Sequence, residues 1–158
     1  MRNAAPSPAI PAPGEGKRGT QGHLGYLLRQ ANAAFRLRLE RALADTGITQ
    51  PQFAVLTMVA AYPGCSGADL ARLSLLTPQT VTVIVANLKR DGFVVTATHP
   101  VHGRIRCLTL TARGGAVLAT CKGRVRGLER DLAVALSDDE EAVVRRWLVA
   151  VAVGQGPD

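Results

Sequence analysis

The side chains of this 158-residue chain that could do covalent or metal chemistry are few, and they lack the grouping such chemistry needs. Cys65, Cys107 and Cys121 are scattered without a Cys-x-x-Cys pair, so no zinc ribbon, dithiol site or disulfide framework is indicated. His23, His99 and His102 have no acid or thiol cluster beside them in sequence, and no metal site is expected. No phosphate-binding glycine loop, dinucleotide fingerprint or nucleophile–base–acid motif occurs, which leaves an enzyme or a cofactor without support. One thiol is placed to react. Cys65 precedes Ser66, the expected start of a helix, where a thiolate is favoured, and this admits a redox-sensing reading. Cys107 falls on an expected strand and Cys121 on an apolar seam, so both read as packing residues.

A second chemistry, recognition of a polyanion, is better supported. The segment Ser66–Arg113 carries Arg72, Lys89, Arg90, Arg104, Arg106 and Arg113 against only Asp69 and Asp91. Of a formal net charge of +7, residues 66–114 hold +4, whereas residues 115–158 hold −1. The excess sits where a nucleic-acid backbone would need it. Within the segment, Val81, Ile84, Val85 and Leu88 recur at helical spacing and should face inward. That geometry turns Gln79, Thr80, Thr82 and Val83 toward a base-reading role, since Gln can pair with adenine and Thr offers a hydroxyl or a methyl. Arg72, Thr77, Lys89, Arg90 and Arg106 suit phosphate oxygens, and Arg104, in a turn, suits a narrow minor groove. Lys89 and Arg90 equally suit the negative end of a helix dipole.

The elements that must position these side chains are readable from caps and periodicity. Leu24, Leu27, Leu28, Ala31, Phe35, Leu39 and Leu43 recur at helical spacing in a first helix from about His23 to Ala44, and Gly47 ends it. Thr49 caps a second with Pro51 in its first turn, and Tyr62-Pro63-Gly64 stops it. Ser66 caps a short third helix and Thr77 a fourth, which Asp91-Gly92 ends. Val94–Thr98 and Ile105–Leu110 read as a hairpin around residues 99–104. Thr111 opens a long helix with a seam of Leu118, Cys121, Val125, Leu128, Leu132 and Leu136. Ser137 and Glu140 form a capping box for a last helix striped with Val143, Val144, Trp147, Leu148 and Val151. The predicted fold class is mainly α with a small β-hairpin, a winged helix-turn-helix flanked by helices. Residues 1–20, with Pro6, Pro8, Pro11 and Pro13, read as a disordered Pro/Ala/Gly-rich tail. No apolar run suits a signal peptide or a membrane span, so a cytoplasmic protein without a membrane partner is expected.

This order of elements, from about residue 22 to 153, resembles the MarR family of bacterial transcription regulators. The matching stretches are Gly47–Leu56, Asp69-Leu70-Ala71, Thr77–Thr82, Leu88–Val94, Pro100–Arg104 and Leu108–Gly114. One departure is that His99 and His102 stand where the family's wing has acids, while Arg104 matches its basic position. The resemblance implies a homodimeric double-stranded DNA-binding repressor on a pseudo-palindromic operator, released by a small-molecule ligand. It implies residues 49–111 as the DNA-binding lobe, with residues 21–48 and 112–153 as a helical dimerisation region. A cleft for small anionic or phenolic ligands would then involve Arg29, Arg36, Phe53 and Tyr62. The rival readings are a winged-helix module for RNA or protein, and a thiol-based redox regulator.

Overall fold

The computed structural model describes residues 10–98 and 106–154. Six helices and one hairpin follow in order: α1 Leu24–Leu43, α2 Gln50–Ala61, α3 Gly67–Leu73, α4 Pro78–Arg90, β1 Val94–Thr98, β2 Arg106–Leu110, α5 Ala112–Ala133 and α6 Asp138–Val153. The chain separates into two units, residues 1–38 and 39–158. Among the described residues no helix is long and apolar enough to cross a membrane.

Each helix from α2 on begins where a short polar side chain can satisfy otherwise orphaned backbone N–H groups. Thr49, Ser66 and Ser137 make reciprocal capping boxes with Gln52, Asp69 and Glu140. Thr77 and Thr111 accept from the backbone N–H of Thr80 and Gly114. The box at Ser66 is the tightest. Asp69 accepts from the Ser66 hydroxyl at 2.6 Å, from the Ser66 N–H at 3.0 Å and from Arg72 at 2.5 Å. These bonds, led by the Ser66 hydroxyl, hold the Asp69 carboxyl down at about 2. Its folded value lies below the ordinary unfolded value of about 3.9, so its contribution is complete above that pH and is lost as pH falls toward 2. An NMR titration of the Asp69 carboxyl is expected to have its midpoint near 2. Ser66→Ala should move that midpoint upward, and an unmoved midpoint would mean the hydroxyl is not what holds the charge.

The core of residues 39–158 is built where α2, α3, α4, α5 and the hairpin meet. Val55, Leu56, Leu70, Val81, Leu88, Val94, Leu118 and Cys121 are buried there, with Leu39 and Leu43 from the end of α1. Strands β1 and β2 pair antiparallel, Val94 opposite Leu110 through Thr98 opposite Arg106. The expected packing roles of Cys107 and Cys121 hold, as both are buried.

Within one chain the apolar seam of α5 is buried only in its first half. Leu118, Cys121 and Val125 are covered, but Leu132 is 53% exposed. No residue of α6 is buried, and its whole stripe faces outward. The expectation of an extended tail is corrected over residues 10–20, which are not simply extended. Gly16–Arg18 form one turn of 3-10 helix. Arg18 donates to the Pro11 carbonyl at 2.8 Å and to Gln30 Oε1 at 3.3 Å, while Gln30 Nε2 donates back to the Arg18 carbonyl at 2.9 Å. Composition alone misses this because one arginine–glutamine clasp and two glycines at positive φ, Gly14 and Gly16, are enough to turn the chain.

Candidate nucleic-acid interface

Helix α4 is held by its inner face. Val81, Ile84 and Leu88 are buried, which fixes the rotation of the helix about its own axis. That rotation leaves Gln79, Thr80, Thr82 and Val83 together on the exposed side, as expected from spacing. Val85 departs from expectation. It is half-buried and, with Pro78, Thr82, Lys89, Ala68 and Leu108, lines a groove of ≈480 Å³ between α3, α4 and β2. A helix face wider than the core leaves its flanking position on the edge of that groove.

The hydroxyls of this face are engaged by the helix itself. Thr82 Oγ1 donates to the Pro78 carbonyl at 2.9 Å. Thr77 Oγ1 accepts from the Thr80 N–H at 3.2 Å and lies 2.8 Å from Thr80 Oγ1. Among the cations, Arg72 is exposed and paired with Asp69 at 2.5 Å. Arg90 pairs with Asp91 at 3.2 Å across the end of α4, and Lys89 is exposed. Arg106 stands at the outer end of β2 opposite Thr98. Arg104, His99 and His102 lie outside the described residues.

The junction that aims the hairpin relative to α4 is a set of residues that sequence reasoning did not single out for this role. Gly92 leaves α4 at φ +74°. Phe93 then presents its carbonyl to the Thr111 N–H at 3.0 Å. The Thr111 hydroxyl donates to the Gly92 carbonyl at 2.7 Å and accepts from the Gly114 N–H at 2.9 Å. Gly114 packs so closely that a Cβ there would meet the Phe93 carbonyl oxygen. The Arg113 guanidinium stacks 5.1 Å over the Phe93 ring, a cation–π contact. Thr111 is legible as a cap, but its bond to Gly92 and the packing of Gly114 on Phe93 join residues some twenty positions apart, which no local signal reveals. A second residue without a sequence signal is Leu75. It lies in the turn before α4 at φ +55°, 91% exposed, where Gly or Asn is the usual choice.

The other expected site residues are divided between the two units. Arg29 and Arg36 are exposed on α1 within residues 1–38, whereas Phe53 is half-buried and Tyr62 is 51% exposed within residues 39–158. Neither unit by itself assembles the four into a cleft. Cys65 is half-buried, and burial pushes its thiol upward, with the Asp69 carboxylate pushing the same way.

Residues 46–105 match the MarR family. An HTH-type transcriptional repressor of Mycobacterium tuberculosis, Rv2887, is 34% identical over 125 residues, covering 79% of this chain and 90% of the relative. The chain belongs to the MarR family. The solved structure of Rv2887 in complex with DNA has a TM-score of 0.65 at 32% identity, over 82% of this chain and 98% of that one. The same Mycobacterium tuberculosis protein in complex with p-aminosalicylic acid gives 0.65 at 30% identity, over 83% and 99%. Six helices and a small two-stranded antiparallel hairpin among the described residues match MarR proteins of known structure, so the winged helix fold class expected from the sequence holds.

Proposed function

We propose that this MarR protein is a dimeric, sequence-specific, double-stranded DNA-binding transcription regulator, a repressor released from its operator by a small-molecule ligand. The observation that carries the reading is the exposed face of α4. Gln79, Thr80, Thr82 and Val83 are held outward by a buried opposite face, next to a hairpin locked to the same helix. A helix so presented enters a major groove with its N-terminal residues on base edges. Arg72, Thr77, Lys89, Arg90 and Arg106 contact phosphates in this reading, and Arg104 enters the minor groove. Residues 49–111 form the DNA-binding lobe, and residues 21–48 with 112–153 form the dimerisation region. A cytoplasmic location follows from that role.

The Rv2887 relative binds DNA and p-aminosalicylic acid, and this supports an aromatic acid as the ligand class here. Such a ligand acts only if it binds the free protein and the DNA-bound protein with different affinity. The raised Cys65 thiol disfavours the redox alternative.

The test is to sequence genomic DNA fragments retained by the purified protein. A recurrent inverted repeat is expected, with half-sites about one helical turn apart. Binding that ignores scrambling of the recovered sequence would instead indicate a module without sequence preference. Once a site is known, Gln79→Ala should relax preference at one or two base pairs, costing about 1–3 kcal/mol against the preferred base. A uniform loss across all sequences would reassign Gln79 to positioning.

A further inference from the structure

The chemistry available on α4 limits which bases it can read. Residues 78–88 contain no Lys, Arg, Asp or Glu. The commonest guanine contact, a bidentate Arg or Lys, is therefore missing from the helix interior, and so is the carboxylate that accepts from cytosine. The remaining polar groups are largely occupied. The Thr82 hydroxyl is turned back to the Pro78 carbonyl, and the Thr77 and Thr80 hydroxyls are bonded to each other. A threonine whose hydroxyl is turned into its own helix presents its methyl outward. Gln79, Thr82, Val83 and Ala86 stand at helical spacings of three, four and seven, and all four are exposed. Val83 is 61% exposed. The stripe thus offers one free amide, at Gln79, followed by three methyl-bearing side chains.

We propose that α4 reads A·T pairs by their methyl groups. Thr82, Val83 and Ala86 pack on thymine 5-methyls, and Gln79 pairs with adenine. In the major groove the 5-methyl is the feature that only thymine carries, so an apolar stripe selects for it without a hydrogen bond. Cytosine at the same place leaves the stripe facing an N4 donor it cannot satisfy. The proposal rests on the DNA-binding reading above.

The experiment uses the full chain and the duplex recovered by genomic selection, with single thymidines replaced by deoxyuridine. This keeps pairing and the O4 acceptor and removes only the methyl. Affinity is expected to fall about fourfold at each of two or three positions per half-site, the value of one buried methyl group. Val83→Ala should abolish the uridine penalty at one of these positions, while Gln79→Ala leaves it. Thr82→Ser should bind more weakly and lose the uridine penalty at its own position, because it removes the outward methyl and keeps the hydroxyl that faces the helix. Uridine duplexes bound as tightly as thymidine duplexes would overturn methyl readout, as would a penalty untouched by Val83→Ala and Thr82→Ser. Failure of the underlying DNA-binding reading is seen separately, because then no fragment is recovered in the first place.

Discussion

Gly114→Ala is expected to lower the melting temperature by roughly 6–12 °C, the consequence of losing about 3 kcal/mol. The new Cβ would overlap the Phe93 carbonyl oxygen and lie 2.8 Å from its carbon. Both are backbone atoms, so no side chain can rotate aside. The carbonyl cannot retreat freely either, because it accepts from the Thr111 N–H and lies 3.3 Å from the Thr111 hydroxyl. Moving α5 away would stretch the Thr111 cap, whose loss alone costs about 1 kcal/mol. Gly115→Ala is the matched control. A Cβ there meets nothing within 4 Å, and the helix gains from alanine, so a change of about +0.5 to +1 kcal/mol is expected. Thermal unfolding of the two variants side by side checks both numbers. Equal melting temperatures would mean that the Phe93–Gly114 contact does not anchor the hairpin to α4.

That contact also marks the boundary of what the sequence shows. The caps at Thr49, Ser66, Thr77, Thr111 and Ser137 are legible because each satisfies backbone groups within three residues of itself. The inner face of α4 is legible for the same local reason, a 3.6-residue period, and it carries the exposed reading face with it. Gly114 is not legible as a positioning residue, since what demands glycine is a carbonyl twenty-one positions earlier. At Cys65 the helix start argues for a lowered thiol, while burial and the Asp69 charge, neither of them visible in the local sequence pattern, push it upward. Periodicity likewise marks Leu132, Trp147 and Leu148 as apolar-face residues, but it cannot say whether the face is covered by the same chain or by another. In a single chain they are exposed by 53%, 39% and 43%.

Those exposed residues set up the second large effect. Val144, Trp147, Leu148 and Val151 form one stripe at helical spacing, and α6 buries nothing of its own chain's making. Leaving such a stripe in water is unfavourable, and a second copy is the partner that the proposed two-fold operator requires. Trp147→Glu puts a charge in the middle of the stripe. Because α6 contributes no buried residue, the variant should keep its helical content by circular dichroism. Sedimentation should then find a species of 16.6 kDa where the original chain sediments at twice that mass. Affinity for the full operator should drop by at least about 100-fold, since two linked half-site contacts become two separate ones. Affinity for a duplex carrying a single half-site should be unchanged, because α4 itself is untouched. This contrast separates loss of pairing from loss of reading. A Trp147→Glu protein that remains a dimer, or that binds the full operator as tightly as before, would place the two-fold contact somewhere other than α6.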